Sequence, residues 1–178
     1  SAVQDANTYY LNQICSRNAL YTQETGRTKK CLTHTFGCQM NERDSEILFG
    51  FLTQMGYEKT DIEAEADLIL FNTCCIREKA ESKVLSQLGE LKKLKKKNPD
   101  MIIGVCGCMM QQQHIIDDIK KKFPWVDVIF GTHNIHQIPE LLAQHKTLDY
   151  LQSLHRHRSE CLYLIHHQKE HKSIQHYR

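Results

Sequence analysis

No run in this 178-residue chain is long and apolar enough to cross a bilayer, and the first 30 residues hold no apolar segment of signal-peptide type. No charge of one sign dominates: 23 lysines and arginines face 21 aspartates and glutamates, so no global polycation argues for nucleic acid. No G-x-G-x-x-G or P-loop follows any apolar run, which counts against a flavodoxin-like nucleotide-binding or signalling domain. Eight cysteines fall well short of a disulfide-stapled miniprotein. A chain of this size buries a real core. A reducing, cytoplasmic compartment with no membrane partner is expected, and there clustered cysteines more often bind metal or do chemistry than form bridges.

What is present is a repeated alternation of short apolar runs and helical periods. Residues 1–29 are polar without a sustained period and are expected as a leader or loosely attached arm. Lys30 to Phe36 reads as a first strand. Ile47, Leu48, Phe51, Leu52 and Met55 then recur at helical spacing, closed by Gly56, with Asn41 as expected N-cap and Asp44 as an imperfect capping-box partner. Ala66 to Phe71 is a continuous apolar run, expected of a strand covered on both faces. A long helix follows from about Ile76 to Lys97, with Val84, Leu85, Leu88 and Leu91 in one stripe and Asn98-Pro99-Asp100 as its stop. Met101 to Cys106 reads as a third strand, and Ile115, Ile116, Ile119 and Phe123 mark a third helix. Val126 to Phe130 is a fourth strand, before a short fourth helix through Ile135, Ile138, Leu141 and Leu142. Four β/α units point to an α/β fold, a doubly wound and mainly parallel sheet of Rossmann or flavodoxin-like type.

Composition changes at about His145. Residues 145–178 hold seven of the eleven histidines, no glycine and no proline. A histidine tract can bind metal, but this spacing is irregular and lacks the paired cysteines of a zinc module. The expected division is an arm over 1–29, one domain over 30–144, and a tail over 145–178 foreign to that domain.

Cys38, Cys74 and Cys108 each fall where an apolar run gives way to a helical pattern. In a parallel α/β sheet the loops after the strands gather at one edge, where such folds place ligands. Thiolates from three loops are then able to converge on one soft metal centre. The competing reading is that buried cysteine packs as a small hydrophobe, and separations of 36 and 34 residues match no local ligand motif. Local chemistry favours ligation. Gly37 and Gly107 precede two of the cysteines and let backbone approach a bulky group. Asn72 and Thr73 place short polar side chains beside Cys74, able to hydrogen-bond loop backbone or sulfur. Three thiolates also leave a fourth coordination position without a protein ligand, the mark of a reactive site.

Cys38-Gln39-Met40-Asn41 with Asp44-Ser45-Glu46, Asn72-Thr73-Cys74 with Ile76-Arg77-Glu78, and Gly107-Cys108-Met109 together resemble the N-terminal domain of the methylthiotransferase family. The first motif, with Gly131-Thr132-His133-Asn134-Ile135-His136 before Ile138-Pro139-Glu140-Leu141, is similar to the tRNA branch that acts on isopentenyl-modified adenosine next to the anticodon. The likeness covers roughly residues 30–142, in order and at family spacing. It implies an auxiliary 4Fe–4S cluster on Cys38, Cys74 and Cys108, with one open iron that carries the transferred sulfur. It further implies S-adenosylmethionine and a second cluster in a following radical domain, on a C-x-x-x-C-x-x-C motif, with tRNA as the substrate of the whole enzyme. This chain departs there: Cys161 is the only cysteine after Cys108, so that motif is absent. A fragment able to hold the auxiliary cluster but not to turn over alone is expected.

The remaining candidates stay divided. Cys75 points away from Cys74 in extended backbone and is read as packing. Cys106 lies two residues from Cys108 and would share its face in a strand, so it stands as a rival or fourth ligand. Cys15, Cys31 and Cys161 are read as bystanders. Arg77 and Glu78 either cap the second helix or place Arg77 near the cluster or a phosphate. Lys92, Lys93, Lys95–Lys97 and Lys120–Lys122 are a solvated basic face or an unspecific attractor of tRNA phosphates, at the end away from the cysteines. His34 is read as a packed or edge residue rather than a ligand, and His133 and His136 as caps or surface groups. The rival from another class is a non-catalytic zinc or redox module on the same thiolates.

Overall fold

The apolar runs assemble into one sheet because their alternate residues point to opposite faces and each face finds its own helices. The computed structural model describes residues 2–74, 78–145, 162–165 and 173–176. A leading helix, α1 (Ala2–Thr25), precedes β1 (Lys30–Thr35), α2 (Gln39–Gln54), β2 (Glu58–Lys59) and β3 (Leu68–Thr73). Then follow α3 (Glu78–Lys97), β4 (Ile102–Gly107), α4 (Gln113–Lys122), β5 (Val128–Phe130) and α5 (138–145). The strands pair in parallel in the order β2-β1-β3-β4-β5. This is the α/β doubly wound sheet expected, with the strand order of the flavodoxin-like class.

On one face Leu68, Leu70, Ile102, Val128 and Phe130 pack with Leu48 and Leu52 of α2 and Leu141 and Leu142 of α5. On the other, Ile69, Phe71, Ile103, Val105 and Ile129 pack with Val84, Leu88 and Leu91 of α3 and Ile115, Ile116 and Ile119 of α4. The helix after β1 therefore covers one face and the helix after β3 the other. The chain direction across the sheet reverses between those strands, which opens a crevice at their C-terminal ends.

One expectation is corrected, and two elements appear that the sequence pattern did not show. Within residues 1–29, expected as a polar leader or loosely attached arm, α1 buries Ile14 and Asn18, and the Asn18 amide donates to the Met55 carbonyl at 2.9 Å. So narrow a buried stripe leaves little helical period in the sequence. Helix α2 starts earlier than Asn41. Its N-cap is Cys38, whose carbonyl accepts from the N–H of Asn41 at 3.0 Å and of Glu42 at 3.3 Å. The edge strand β2 is two residues long and exposed, too short to carry an alternating pattern.

Beyond β5 the sheet continues with β6 (Leu162–Ile165), parallel to β5, and β7 (Ser173–His176), antiparallel to β6. Thus part of the tail pairs with the domain's edge. Cys161 and His155, His157, His166, His167 and His171 lie outside the described residues, as do Cys75, Ile76 and Arg77. Among the described residues no helix is long and apolar enough to cross a membrane.

Candidate metal centre at the strand ends

Cys38, Cys74 and Cys108 follow β1, β3 and β4, three adjacent strands, at their C-terminal ends. The β1–β3 pair runs in register to Thr35 opposite Asn72, and the β3–β4 pair to Thr73 opposite Gly107. Cys38 and Cys74 thus flank the crevice where the sheet's winding reverses. Phe36 holds the outgoing β1 chain by stacking on Phe71, ring centroids 6.0 Å apart and nearly parallel, and its N–H donates to the Asn72 carbonyl at 2.8 Å.

Exposure differs among the three. Cys38 is exposed, Cys108 half-buried and Cys74 buried. As the N-cap of α2, Cys38 faces the N–H groups of Met40 and Asn41, which pull its thiol below the ordinary cysteine range, helped by a hydrogen bond with Cys74. Its sulfur also donates to Asn41 Oδ1 at 3.5 Å. Cys108 opens a 3-10 turn (Cys108–Gln111), and its sulfur donates to the Thr73 carbonyl at 3.7 Å. The cysteines before and after Gly107 face different surroundings. Cys106 is fully buried in the core beside Phe130, and burial raises its thiol far above the usual range. Gly107 has φ +108°, so the strand ends there and the chain turns before Cys108. The shared-face argument for Cys106 and Cys108 does not apply across that turn.

Both glycines make room for close approach. A Cβ on Gly37 would sit 2.5 Å from Cys74 Cβ, and one on Gly107 2.1 Å from the Thr73 carbonyl oxygen. The loops are tied by buried amides. Asn41 Nδ2 donates to the Thr73 carbonyl at 3.1 Å, and Asn72 Nδ2 to the Asn41 carbonyl at 2.8 Å and Ser45 Oγ at 3.0 Å. Thr73 Oγ1 donates to the Cys106 carbonyl at 2.8 Å. The sequence signal for Asn72 and Thr73 is their polarity beside Cys74; Asn41 is a cross-loop amide rather than the expected cap, two roles that look alike in a helix-start motif.

Among the described residues no group of three His, Cys, Asp or Glu side chains is close enough to hold a single metal ion. A polynuclear cluster spreads its thiolates wider than one ion does. An exposed thiol drawn toward thiolate with Cys74 beside it, a third cysteine bound to the Thr73 carbonyl next to Cys74, and two backbone positions cleared of Cβ are compatible with such a group. The other candidates separate from this rim. Cys31 is buried, its thiol pushed up to about 11 by desolvation, and Cys15 lies half-buried on α1. His34 pairs with Glu63 at 2.8 Å and packs on Phe71. His133 and His136 lie in a 3-10 turn (Thr132–Gln137) after β5. The lysine-rich ends of α3 and α4 precede β4 and β5, at the edge opposite the cysteines. There Lys95 is bound to Asp127 at 2.7 Å.

The pattern of the uncharacterized protein family UPF0004 matches residues 30–131. A tRNA-2-methylthio-N(6)-dimethylallyladenosine synthase of Clostridioides difficile is 53% identical over 135 residues, covering 76% of this chain and 28% of the relative. One of Clostridium beijerinckii is 61% identical over 113 residues, 64% of this chain and 25% of the relative. The synthase of Oceanobacillus iheyensis is 54% identical over 122 residues, 68% and 24% respectively. The chain thus spans about a quarter of the length of the curated relatives it matches. With the family pattern covering more than half of the chain, this protein belongs to UPF0004, the N-terminal domain family of the methylthiotransferases.

Proposed function

We propose that Cys38, Cys74 and Cys108 hold one 4Fe–4S cluster with an open iron, and that the chain serves as the auxiliary-cluster domain of a cytoplasmic tRNA methylthiotransferase. The observation that supports this reading is that the three cysteines follow adjacent parallel strands at the same end of the sheet, Cys38 and Cys74 on either side of its reversal point, in a chain more than half identical to named synthases over the matched residues. When bound, the cluster supplies a soft iron site for the sulfur destined for carbon 2 of isopentenyl-modified adenosine. The chain's own contribution is to present three thiolates. The α2 N-terminus favours the charged form of Cys38, while Cys74 and Cys108 are partly shielded from water. This domain spans residues 30–144 with α1 packed against it, and the tail over 145–178 is an extension of separate origin. S-adenosylmethionine, a second cluster and tRNA belong to the complete enzyme.

Anaerobic reconstitution with ferrous iron and sulfide tests the reading. About four irons per chain and broad visible absorption are expected, lost in Cys38→Ala, Cys74→Ala and Cys108→Ala and kept in Cys75→Ala and Cys106→Ala. A colourless zinc-loaded chain, or loss on Cys106→Ala with retention on Cys108→Ala, would overturn it.

A further inference from the structure

We propose that Asn41 and Asn72 are positioning residues, a reciprocal amide pair that locks the Cys38 loop onto the end of β3 and sets the cysteine rim before metal arrives. The purpose of this clamp rests on the cluster reading above; its geometry does not. Both amides are buried, Asn41 at 3% and Asn72 at 0% exposure. A buried amide is costly unless its polar atoms are matched, and a fully matched pair specifies one arrangement. Asn41 Nδ2 donates to the Thr73 carbonyl at 3.1 Å and to Asn72 Oδ1 at 3.4 Å. Asn72 Nδ2 returns a bond to the Asn41 carbonyl at 2.8 Å and reaches Ser45 Oγ at 3.0 Å, itself 2.7 Å from Thr35 Oγ1.

The Thr73 carbonyl is the hub. It precedes Cys74, accepts Asn41 from the Cys38 loop, and accepts the Cys108 sulfur from the third loop at 3.7 Å. A carbonyl oxygen only accepts, so the Asn41 amide is oriented with Nδ2 inward and Oδ1 toward Cys38. Replacement by aspartate keeps the shape, removes the donor and sets a carboxylate oxygen against the Thr73 carbonyl.

Two readouts test this in the full chain. In the metal-free protein, diamide oxidation followed by peptide mapping measures how readily Cys38 and Cys74 form a disulfide. In the reconstituted protein, iron loss to a chelator and the electron paramagnetic resonance spectrum of the reduced cluster report the site itself. Asn41→Asp is expected to slow Cys38–Cys74 trapping and to weaken iron retention by about tenfold or more, the range seen when groups orienting metal ligands are lost, and to alter the spectrum. Ser45→Ala, which removes one Asn72 contact, is expected to act in the same sense more weakly; it carries the test if Asn41→Asp does not fold. Trapping, iron retention and spectrum all at parental level in a folded variant would overturn the clamp. So would a parental chain that forms no Cys38–Cys74 disulfide. A parental chain that traps the disulfide in a clamp-dependent way but takes up no cluster leaves the clamp standing and sinks the cluster reading.

Discussion

A Cβ on Gly107 would meet the Thr73 carbonyl oxygen at 2.1 Å and the Thr73 nitrogen at 2.8 Å, both backbone atoms of the neighbouring strand, and its φ of +108° disfavours any L side chain. Nothing there can swing aside. Gly107→Ala is therefore expected to cost at least about 2 kcal/mol, read as a lower urea midpoint, because backbone strain and overpacking coincide. At the thiols the contrast is electrostatic. Helix N–H groups favour the Cys38 thiolate, whereas desolvation disfavours that of Cys106. A lowered pKa means a larger thiolate fraction at any given pH, so iodoacetamide should label Cys38 of the metal-free chain ahead of Cys106 from neutral pH upward. Cys106 should stay unlabelled until the fold opens; equal labelling of both in the folded chain would contradict the burial pattern.

Among the elements, α1 provides the clearest test of packing against patterning. Its Asn18 amide satisfies the Met55 carbonyl at the end of α2, and its Ile14 joins the core cluster of Leu48 and Leu52. Asn18→Ala should lower stability by about 1 to 2 kcal/mol, since a buried acceptor loses its donor. A loosely attached arm would show no change in the thermal or chemical midpoint. Patterning revealed the strands and helices whose residues meet broad apolar surfaces. Ile69 and Phe71 face α3 and α4 while Leu68 and Leu70 face α2 and α5, so β3 reads as an unbroken apolar run. It did not reveal α1, where few residues touch the core, nor β2, which contributes two exposed residues to the edge. At the candidate site the three cysteines were visible as residues that end strands. The clamp was not, because Asn41 belongs by sequence to a helix start and by contact to β3, and no local period encodes a partner 31 residues away. Nor was the separation of Cys106 from Cys108, which depends on the turn at Gly107 rather than on residue type.

Across the whole molecule, the sheet sorts chemistry to opposite edges. The cysteine rim lies at the strand C-terminal ends, with the exposed Met40 beside it. Exposed lysines gather at the other edge, where the dipole ends of α3 and α4 favour cations and Lys95 is bound by Asp127. Under the proposed function this edge holds the sulfur, and the radical comes from a separate domain of the complete enzyme. Downstream of Cys108 the sequence offers only Cys161, so no C-x-x-x-C-x-x-C can form within these 178 residues. Under the proposed function, the purified chain, loaded anaerobically and given isopentenylated tRNA, S-adenosylmethionine and a reductant, should show cluster absorption yet yield no 2-methylthio nucleoside by mass spectrometry of the digested RNA. Appearance of that product from the chain alone would mean that the radical source lies among residues assigned no such chemistry, and the division between a sulfur-holding domain and a separate radical-generating one would have to be abandoned.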